Sequence, residues 1–411
     1  MKLVVLCPHF APDTAPTGTV MTGIVEGLVA RGHEIHVVTS LPWYRHHAIE
    51  AGWSGRVIRR EVTDWGSITR VHPFSGGDKK NLLRRALGFV GFTALAGLAA
   101  LRPGGWCRKV DAVLAMSPPL TLGLTGWLVA KFRRGRFVFN IQDVFPDAAV
   151  KTGAISNPSI IRVASFLERV SYRSADVVTV LSDDLAANVN SKLSLKAKTS
   201  THVEVIPNFV DTKVLAPVDG TPYRSEYGLG PGPVVMYAGN LGYSQSIDLV
   251  IGLAERRPDI SVVINGDGAM REIVREAAER LENLHYVGYQ PAERLAEVLS
   301  AADIHLVPLR SELGSVSVPS KTYSVLAVGR PVIASIDEDS AISQLLEDAH
   351  GGISVPPDDL DALLQAVDRL VSDEVERTNM GENGRKWVAQ HASPASAAAA
   401  YERVLSGPNI G

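Results

Sequence analysis

The sequence contains almost no cysteine: Cys7 and Cys107 are the only two among 411 residues. Two cysteines so far apart exclude a disulfide framework and a cysteine-ligated metal cluster, and they are typical of a protein that works in a reducing cytoplasm. The short apolar run at the N-terminus lacks the charged lead and the cleavage site of a secretory signal. We therefore interpret that run as a first strand.

The common phosphate-binding fingerprints are also missing. No G-x-x-x-x-G-K-[ST] occurs, which excludes a P-loop ATPase. The dinucleotide-binding motif G-x-G-x-x-G is absent as well: the turn after the first predicted strand contains only Gly18, and "GDGAMR" has Arg271 in place of the third glycine. A NAD-dependent dehydrogenase is therefore disfavoured. Two D-x-D triplets, at 337–339 and 359–361, lie near predicted helix starts, where carboxylates serve as caps. We predict no metal site and no cofactor.

Charge is distributed unequally between two halves of the chain. The length allows two hydrophobic cores. Residues 1–211 carry 25 Lys and Arg against 16 Asp and Glu, whereas residues 212–411 carry 16 against 28. The net charges of +9 and −12 indicate that the two halves meet different partners.

A basic and apolar segment, residues 79–109, stands out in the first half. Its uncharged part, 86–101, is 16 residues long and too short to span a bilayer, which needs ~20. Basic residues flank it on both sides, which predicts a helix lying in an anionic leaflet. A core helix with solvated ends is the alternative, and we favour it for the apolar run before Lys131–Arg136. The predicted membrane-contacting residues are Arg84, Arg85, Phe89, Phe92 and Arg102.

Strand and helix patterns alternate along the chain, which predicts an α/β fold with two doubly wound parallel sheets facing a cleft. The strands of the first half are predicted at 3–7, 34–39, 111–116, 137–141, 177–180 and 203–206, with a helix at 19–31. Those of the second half are predicted at 234–238, 261–265, 285–287, 304–308, 331–335 and 353–355. The predicted domains are 1–214 and 215–392, with 215–233 as linker and with 393–411 as a C-terminal helix packing back on the first domain.

Glycine-containing turns follow the first three predicted strands of the second half. They are "YAGNLGYSQS", "INGDGAM" and "VGYQPAE". A glycine at a strand end is often an ordinary turn, but its recurrence at equivalent places favours a ligand site, because such sheets bind ligands beyond the carboxyl ends of their strands.

One lysine occupies an unusual place in "SVSVPSKTYSVLAVGRPVIAS". Ser320 is predicted to cap a helix that runs to Gly329, which puts Lys321 in its first turn. A cation there is unfavourable beside the positive helix end unless an anion such as a phosphate lies against it. The alternative is a lysine side chain that extends into water.

These motifs together resemble a known family. "PHFAPDTAPTG", "VIPNFVD", "YAGNLGYSQSIDLVI", "VVINGDGAMRE" and "SKTYSVLAVGRPVIAS" occur in the order found in family 4 retaining glycosyltransferases of GT-B fold. "MSPPL", "QDVFPD" and "PSK" resemble the branch of colanic acid and O-antigen assembly, including fucosamine transferases. The resemblance implies acceptor binding in the N-terminal domain, nucleotide-sugar binding in the C-terminal domain, retention, and no obligatory metal.

The resemblance also implies roles for individual residues. Lys321, Asp143 and Gln142 are the catalytic candidates, and Asp143 would orient the acceptor hydroxyl or accept its proton. Acceptor-binding candidates are His9, Ser117 and Asp147. For Asp147, which follows Pro146, a purely structural role as a helix cap is an equally supported alternative. Donor-binding candidates are Gly18, Thr19, Gly239, Asn240, Gly242, Gln245, Gly266, Asp267, Gly268, Gly288, Tyr289, Ser320, Lys321, Thr322 and Ser324.

Two departures from the family pattern raise the importance of Lys321. Asn240 and Gln245 stand where many relatives carry Arg and Lys, and Val316 and Ser324 stand in place of two glutamates. With those cations absent, Lys321 and the N-terminal end of its helix would together compensate most of the negative charge of the diphosphate.

The implied reaction moves a sugar from a nucleotide diphosphate sugar, UDP being favoured over GDP, to a lipid-linked saccharide or glycolipid acceptor. The basic segment places the enzyme peripherally on the cytoplasmic face of the plasma membrane, on an anionic surface, with no nucleic-acid partner. Alternatives are a nucleotide-sugar epimerase of the same fold, which needs no acceptor, and a non-catalytic glycan-binding scaffold.

Overall fold

The computed structural model describes residues 1–45, 48–74, 82–153, 155–194, 201–314 and 316–407, without the side chains of residues 82–87. The chain divides into two compact units. Unit 1 comprises Met1–Pro207 and Pro394–Gly411, and unit 2 comprises Asn208–Ser393. Of the predicted membrane residues, the side chains of Arg84 and Arg85 lie outside the described part.

Unit 1 contains one eight-stranded sheet in the order β3-β4-β2-β1-β5-β6-β7-β8, parallel except for the β3–β4 pair. The order reverses direction between β1 and β5. Its elements in chain order are β1 (Lys2–Leu6), α1 (Pro16–Ala30), β2 (Glu34–Ser40), β3 (Ile58–Thr63), β4 (Gly66–Val71), α2 (Leu82–Ala100), β5 (Ala112–Ser117), α3 (Thr121–Arg133), β6 (Arg136–Ile141), α4 (Asp147–Lys151), α5 (Pro158–Ser174), β7 (Val177–Val180), α6 (Asp183–Leu193) and β8 (His202–Val205).

Unit 2 contains a six-stranded parallel sheet in the order β11-β10-β9-β12-β13-β14. Its elements are α7 (Thr221–Glu226), β9 (Val234–Ala238), α8 (Ile247–Arg256), β10 (Ser261–Asn265), α9 (Arg271–Arg280), β11 (Leu284–Val287), a 3₁₀ turn (Ala292–Arg294), α10 (Leu295–Ser300), β12 (Ile304–Pro308), α11 (Lys321–Ala327), β13 (Val332–Ser335), α12 (Ala341–Ala349), β14 (Gly352–Val355), α13 (Leu360–Ser372) and α14 (Glu374–His391). The last helix, α15 (Pro394–Ser406), belongs to unit 1 and packs on α1.

All twelve predicted strands are present, with ends that differ by a residue or two at most. The antiparallel pair β3 and β4 was not predicted. Residues along β3 alternate between exposed and half-buried, as expected of an edge strand with no continuous apolar run. The predicted start of the first helix at residue 19 is also wrong, because α1 begins at Pro16, a residue well suited to the first helical position.

The predicted linker is part of the core of unit 2. Tyr223 on α7 is fully buried, and it packs with Leu229, Val234, Met236 and Val263. Asn265 Nδ2 donates a hydrogen bond to its hydroxyl at 2.9 Å. The glycine and proline residues of the segment 215–233 therefore form turns within a folded part of unit 2, and the segment is not a flexible linker.

The apolar helix α2 packs along one side on β2, β4 and β1. Phe92 is only 3% exposed, so its assignment as a membrane-contacting residue is wrong: the ring belongs to the core of unit 1. Phe89 is exposed and Arg102 lies over the ring of Trp106, with 5.9 Å between the guanidinium carbon and the ring centroid. Among the described residues, no helix has the length and apolar character needed to cross a bilayer.

The basic stretch Lys131–Arg136, which begins in the last turn of α3, was expected to be solvated, but it is partly buried. Arg133 is completely buried, and its guanidinium group donates to the carbonyl oxygens of Arg108, Ala100 and Pro103 at 2.7 to 2.8 Å. Three carbonyl acceptors compensate part of the desolvation of the cation, although burial still lowers the pKa of Arg133. This side chain ties the end of α3 to the end of α2.

Candidate functional site

The strand order of unit 2 reverses between β9 and β12, and parallel sheets bind ligands at such a point, beyond the carboxyl ends of the strands. The turn after β9 contains Gly239, Asn240, Gly242 and Gln245, and the segment after β12 leads to Lys321. The chain thus brings these predicted donor-binding residues to the same edge of the sheet.

Lys321 is held above the end of β9 by two neutral oxygen atoms. Its Nζ donates to Tyr237 OH at 2.8 Å and to Gln245 Oε1 at 2.9 Å, and it lies 4.0 Å from the centroid of the Tyr237 ring. The Tyr237 hydroxyl donates in turn to the carbonyl oxygen of Asn240 at 2.6 Å. The lysine side chain therefore folds back on the protein and does not extend into water.

The ammonium group of Lys321 has no carboxylate within ion-pair distance among the residues that the structure describes. Desolvation lowers its pKa from 10.5 to about 7. The unfolded chain therefore binds this proton more tightly than the folded chain. Below about pH 7 the desolvated charge lowers the free energy of unfolding by its full amount. As the pH rises from there towards 10.5, the free energy of unfolding of the unliganded protein increases. An anion bound at Nζ would raise the pKa of Lys321 again, because it favours the charged form of the amine.

The turns after β9 and β10 are packed backbone against backbone. A Cβ atom added to Gly266 would lie 1.8 Å from the carbonyl oxygen of Gly239, and the φ angle of Gly266 is +156°. Leu241 N donates to the carbonyl oxygen of Asp267 at 2.9 Å, and Gly268 N donates to Asp267 Oδ1 at 2.7 Å. The two glycine turns therefore form one connected wall beside Lys321.

The other predicted donor residues have different environments. Ser320 is the N-cap residue of α11, as predicted, although its side chain makes no capping hydrogen bond. The predicted helix end at Gly329 is wrong, because α11 ends at Ala327. Thr322 is fully buried, which contradicts a donor contact. Ser324 is half-buried, while Gly288 and Tyr289 are exposed after β11.

In unit 1, the turn after β1 contains a histidine and aspartate pair. His9 Nδ1 lies 2.6 Å from Asp13 Oδ2, and both residues are buried. Gly18 lies within α1, not in a loop as expected: a Cβ atom there would come within 2.9 Å of His9 Cβ. Thr19, one residue further along the helix, is exposed.

The turns after β5 and β6 meet through a buried polar network. Gln142 N donates to the carbonyl oxygen of Ser117 at 3.3 Å, and Gln142 Nε2 donates to Asn140 Oδ1 at 2.8 Å. Asn140 Nδ2 donates to Tyr401 OH on α15 at 2.7 Å. Ser117 is 1% exposed and Gln142 6%, so both residues belong to the packed interior of unit 1. Asp143, the next residue, is half-buried.

Asp147 lies in an ion cluster between α4, α5 and α6. Lys192 Nζ lies 2.8 Å from Asp147 Oδ2 and 2.6 Å from Glu168 Oε1, and Tyr172 OH donates to Glu168 at 3.0 Å. Burial raises the pKa of Glu168, which is 1% exposed. Asp147 does not act as the side-chain cap of α4, and its observed partners are structural.

Two family profiles match the chain, one in each unit. "Glycosyl transferase 4-like domain" matches residues 17–208, and "Glycosyl transferases group 1" matches residues 222–387. The chain belongs to the glycosyltransferases. The resemblance inferred from the motifs is thereby confirmed, and so is the α/β fold of GT-B type with two doubly wound halves.

Individual relatives agree with this assignment. The glycosyltransferase is 25% identical over 382 residues to WcaI of Escherichia coli K12, named for colanic acid biosynthesis, with 89% of this chain and 91% of WcaI covered. Sucrose-phosphate synthase of Thermosynechococcus elongatus has a TM-score of 0.77 at 18% identity, covering 98% of both chains. Anabaena HepE, solved in complex with UDP-glucose, has a TM-score of 0.69 at 14% identity, covering 99% of both chains.

Two residues of the glycosyltransferase were not singled out from the sequence. Tyr237 is the penultimate residue of β9, where an aromatic side chain is expected in the core, and only the fold places its hydroxyl under Lys321. Asp13 lies four residues after His9, and this spacing could have suggested the hydrogen-bonded pair of histidine and aspartate.

Proposed function

We propose that this glycosyltransferase moves a sugar from a UDP-sugar to a lipid-linked saccharide or glycolipid, with retention and without a metal ion, in the assembly of cell-envelope polysaccharide. The assignment to the cell envelope is supported by the likeness to WcaI, and UDP is supported by the likeness to HepE. GDP remains the alternative base.

The observation that carries the proposal is the desolvated ammonium group of Lys321 at the switch point of the unit 2 sheet. A half-buried cation without a counter-ion is unfavourable, and a diphosphate would supply two or more negative oxygens at that point. Gln245 and Tyr237 hold Nζ in place but leave its charge uncompensated, because both are neutral. The missing side chains of Gly239 and Gly266 let the two turns and Lys321 Nζ pack closely together, which fixes the wall beside the ammonium group.

The reaction breaks the bond between the anomeric carbon and the diphosphate oxygen and forms a bond from that carbon to the acceptor oxygen on the same face of the sugar. Negative charge grows on the departing diphosphate, and a cation fixed beside it beforehand lowers the barrier. Lys321 has this role in the proposal. Asp143 orients the acceptor hydroxyl and accepts its proton.

Binding of the donor can be tested by thermal melting with UDP, GDP and their sugars. We expect UDP at about a hundred times its Kd to stabilise the fold by ~2.7 kcal/mol, because it binds only the native state. The Lys321→Met variant should lose most of this shift. Absence of a shift with every nucleotide would instead support the non-catalytic scaffold.

Incubation with donor alone separates the epimerase alternative from a transferase. The transferase should leave the sugar of the donor unchanged when no acceptor is present, apart from slow hydrolysis. Appearance of an epimeric sugar nucleotide in that reaction would contradict the proposal.

A further inference from the structure

Three neighbouring helices of unit 1 expose an unusual amount of apolar surface. Eight large apolar side chains on α2, α3 and α5 are exposed, whereas no described helix of unit 2 exposes more than one. Soluble surfaces rarely concentrate such side chains without a partner. The eight residues are Phe89, Val90, Leu98, Leu128, Phe132, Ile160, Val163 and Phe166.

The exposed side chains are arranged in stripes along their helices. Val90 and Leu98 lie two helical turns apart on α2, and Leu128 and Phe132 lie one turn apart on α3. On α5, Val163 and Phe166 are 60% and 59% exposed and lie three residues apart. The helices α3 and α5 therefore each expose one apolar stripe, whereas α2 exposes apolar side chains over a wider arc, since Phe89 and Leu98 lie about 180° apart around it.

The three helices form a continuous layer, because α2 contacts α3 and α3 contacts α5. The α2–α3 contact is close: a Cβ atom on Gly97 would lie 2.9 Å from Thr125 Cγ2, and Arg133 binds the last carbonyl of α2. The α3–α5 contact is closer still, since a Cβ atom on Gly123 would lie 2.5 Å from Ser171 Cβ. Small residues at both contacts hold the stripes side by side without large gaps.

The charge of this layer has a single sign at its surface. The three helices contain seven Lys and Arg residues and only one acidic residue, Glu168. Glu168 is buried in the ion cluster with Lys192, so it does not reach the surface. Lys131 and Arg162 are exposed, and Arg162 directly precedes Val163. Apolar stripes with exposed cations and no exposed carboxylate complement an anionic lipid surface.

We propose that the outer face of the α2–α3–α5 layer docks on an anionic bilayer, with the apolar stripes in the headgroup region and Lys131 and Arg162 on lipid phosphates. This extends the predicted membrane contact from the segment 79–109 to α3 and α5, which lie outside that segment. The inference rests on the proposed function for its purpose, since docking would bring unit 1 to a lipid-linked acceptor. Binding itself can be measured without any transfer.

Vesicle flotation of the full chain tests the proposal on α5, the helix furthest from the predicted segment. Wild type should float with vesicles of phosphatidylcholine and phosphatidylglycerol and much less with phosphatidylcholine alone. The double variant Val163→Ser, Phe166→Ser should lower the partition coefficient at least ~10-fold, because it removes apolar area from the interface. Arg162→Glu should lower it ~10-fold on anionic vesicles only.

The matched control is Val62→Ser combined with Val375→Ser. These valines are more exposed than the α5 residues, at 82% and 71%, but lie on β3 and α14, so flotation should be unchanged. Equal flotation of the α5 variants and wild type would overturn docking through α5. Self-association of wild type in light scattering that the α5 variants abolish, without flotation, would overturn it in favour of a second copy of the chain. Thermal melting with UDP reports on the proposed function separately, and flotation that persists without a UDP shift would support docking alone.

Discussion

Replacement of Lys321 by alanine is expected to lower the turnover of sugar transfer at saturating donor by at least ~10², the loss typical of removing one preorganised charge donor. The reason is the position of Nζ, which the hydroxyl of Tyr237 and the amide oxygen of Gln245 fix at the switch point of the unit 2 sheet. Lys321→Met should lose as much activity, although it keeps the alkyl chain over the Tyr237 ring. Product formation at several donor concentrations separates turnover from donor affinity.

Lys386→Ala is the matched control, because Lys386 is exposed in the same unit and, within the described part of the chain, its ion pair is with Glu382 on its own helix. Its turnover should equal that of wild type. Tyr237→Phe removes one of the two groups that hold Nζ, and an intermediate loss is expected. Near-normal turnover of both Lys321 variants would contradict the assignment of the leaving-group role.

Replacement of Lys192 by methionine is expected to lower the free energy of unfolding of unit 1 by about 3 kcal/mol, the cost of leaving a buried charge without its partner. Lys192 Nζ lies between Glu168 and Asp147, and Glu168 is almost fully buried. Burial already raises the pKa of Glu168, so loss of the cation should raise it further. Denaturant unfolding followed by a signal specific to unit 1 measures the change.

The double variant Lys192→Met, Glu168→Gln should recover most of the lost stability, because no uncompensated buried carboxylate remains on α5. Lys109→Met changes an exposed lysine of the same unit and should stay within ~0.5 kcal/mol of wild type. If Lys192→Met unfolded like wild type, the cluster would not be structural, and Asp147 would again be a candidate for acceptor binding.

The fold could be predicted well where strands are buried on both faces. Runs such as Val234–Ala238 are wholly apolar and bounded by turns, so their position in a parallel sheet follows from the sequence. The β3–β4 pair could not be found in this way. The strand Ile58–Thr63 lies at the edge of the sheet, and its sequence contains no apolar run bounded by turns of the kind that marks the other strands.

The candidate site could be predicted in part, because position after a strand is legible in the sequence. This reasoning drew attention to the turns at Gly239 and Gly266 and to Lys321, which the fold brings to the same edge of the unit 2 sheet. It could not tell which side of a helix faces the core, a property of tertiary packing. Thr322 and Phe92 were misassigned for this reason, since each lies on a helix next to residues that are more exposed.

The central claim is that the ammonium group of Lys321 pairs with the diphosphate of the donor. Because desolvation lowers the pKa of Lys321 to about 7, the free protein carries mostly neutral lysine at pH 8, and a bound diphosphate should restore its charge. Titration calorimetry of UDP binding at pH 8, in buffers of different ionisation enthalpy, should therefore show uptake of about one proton by wild type and none by Lys321→Met. Binding of UDP to wild type without proton uptake, or the same uptake by both proteins, would contradict it.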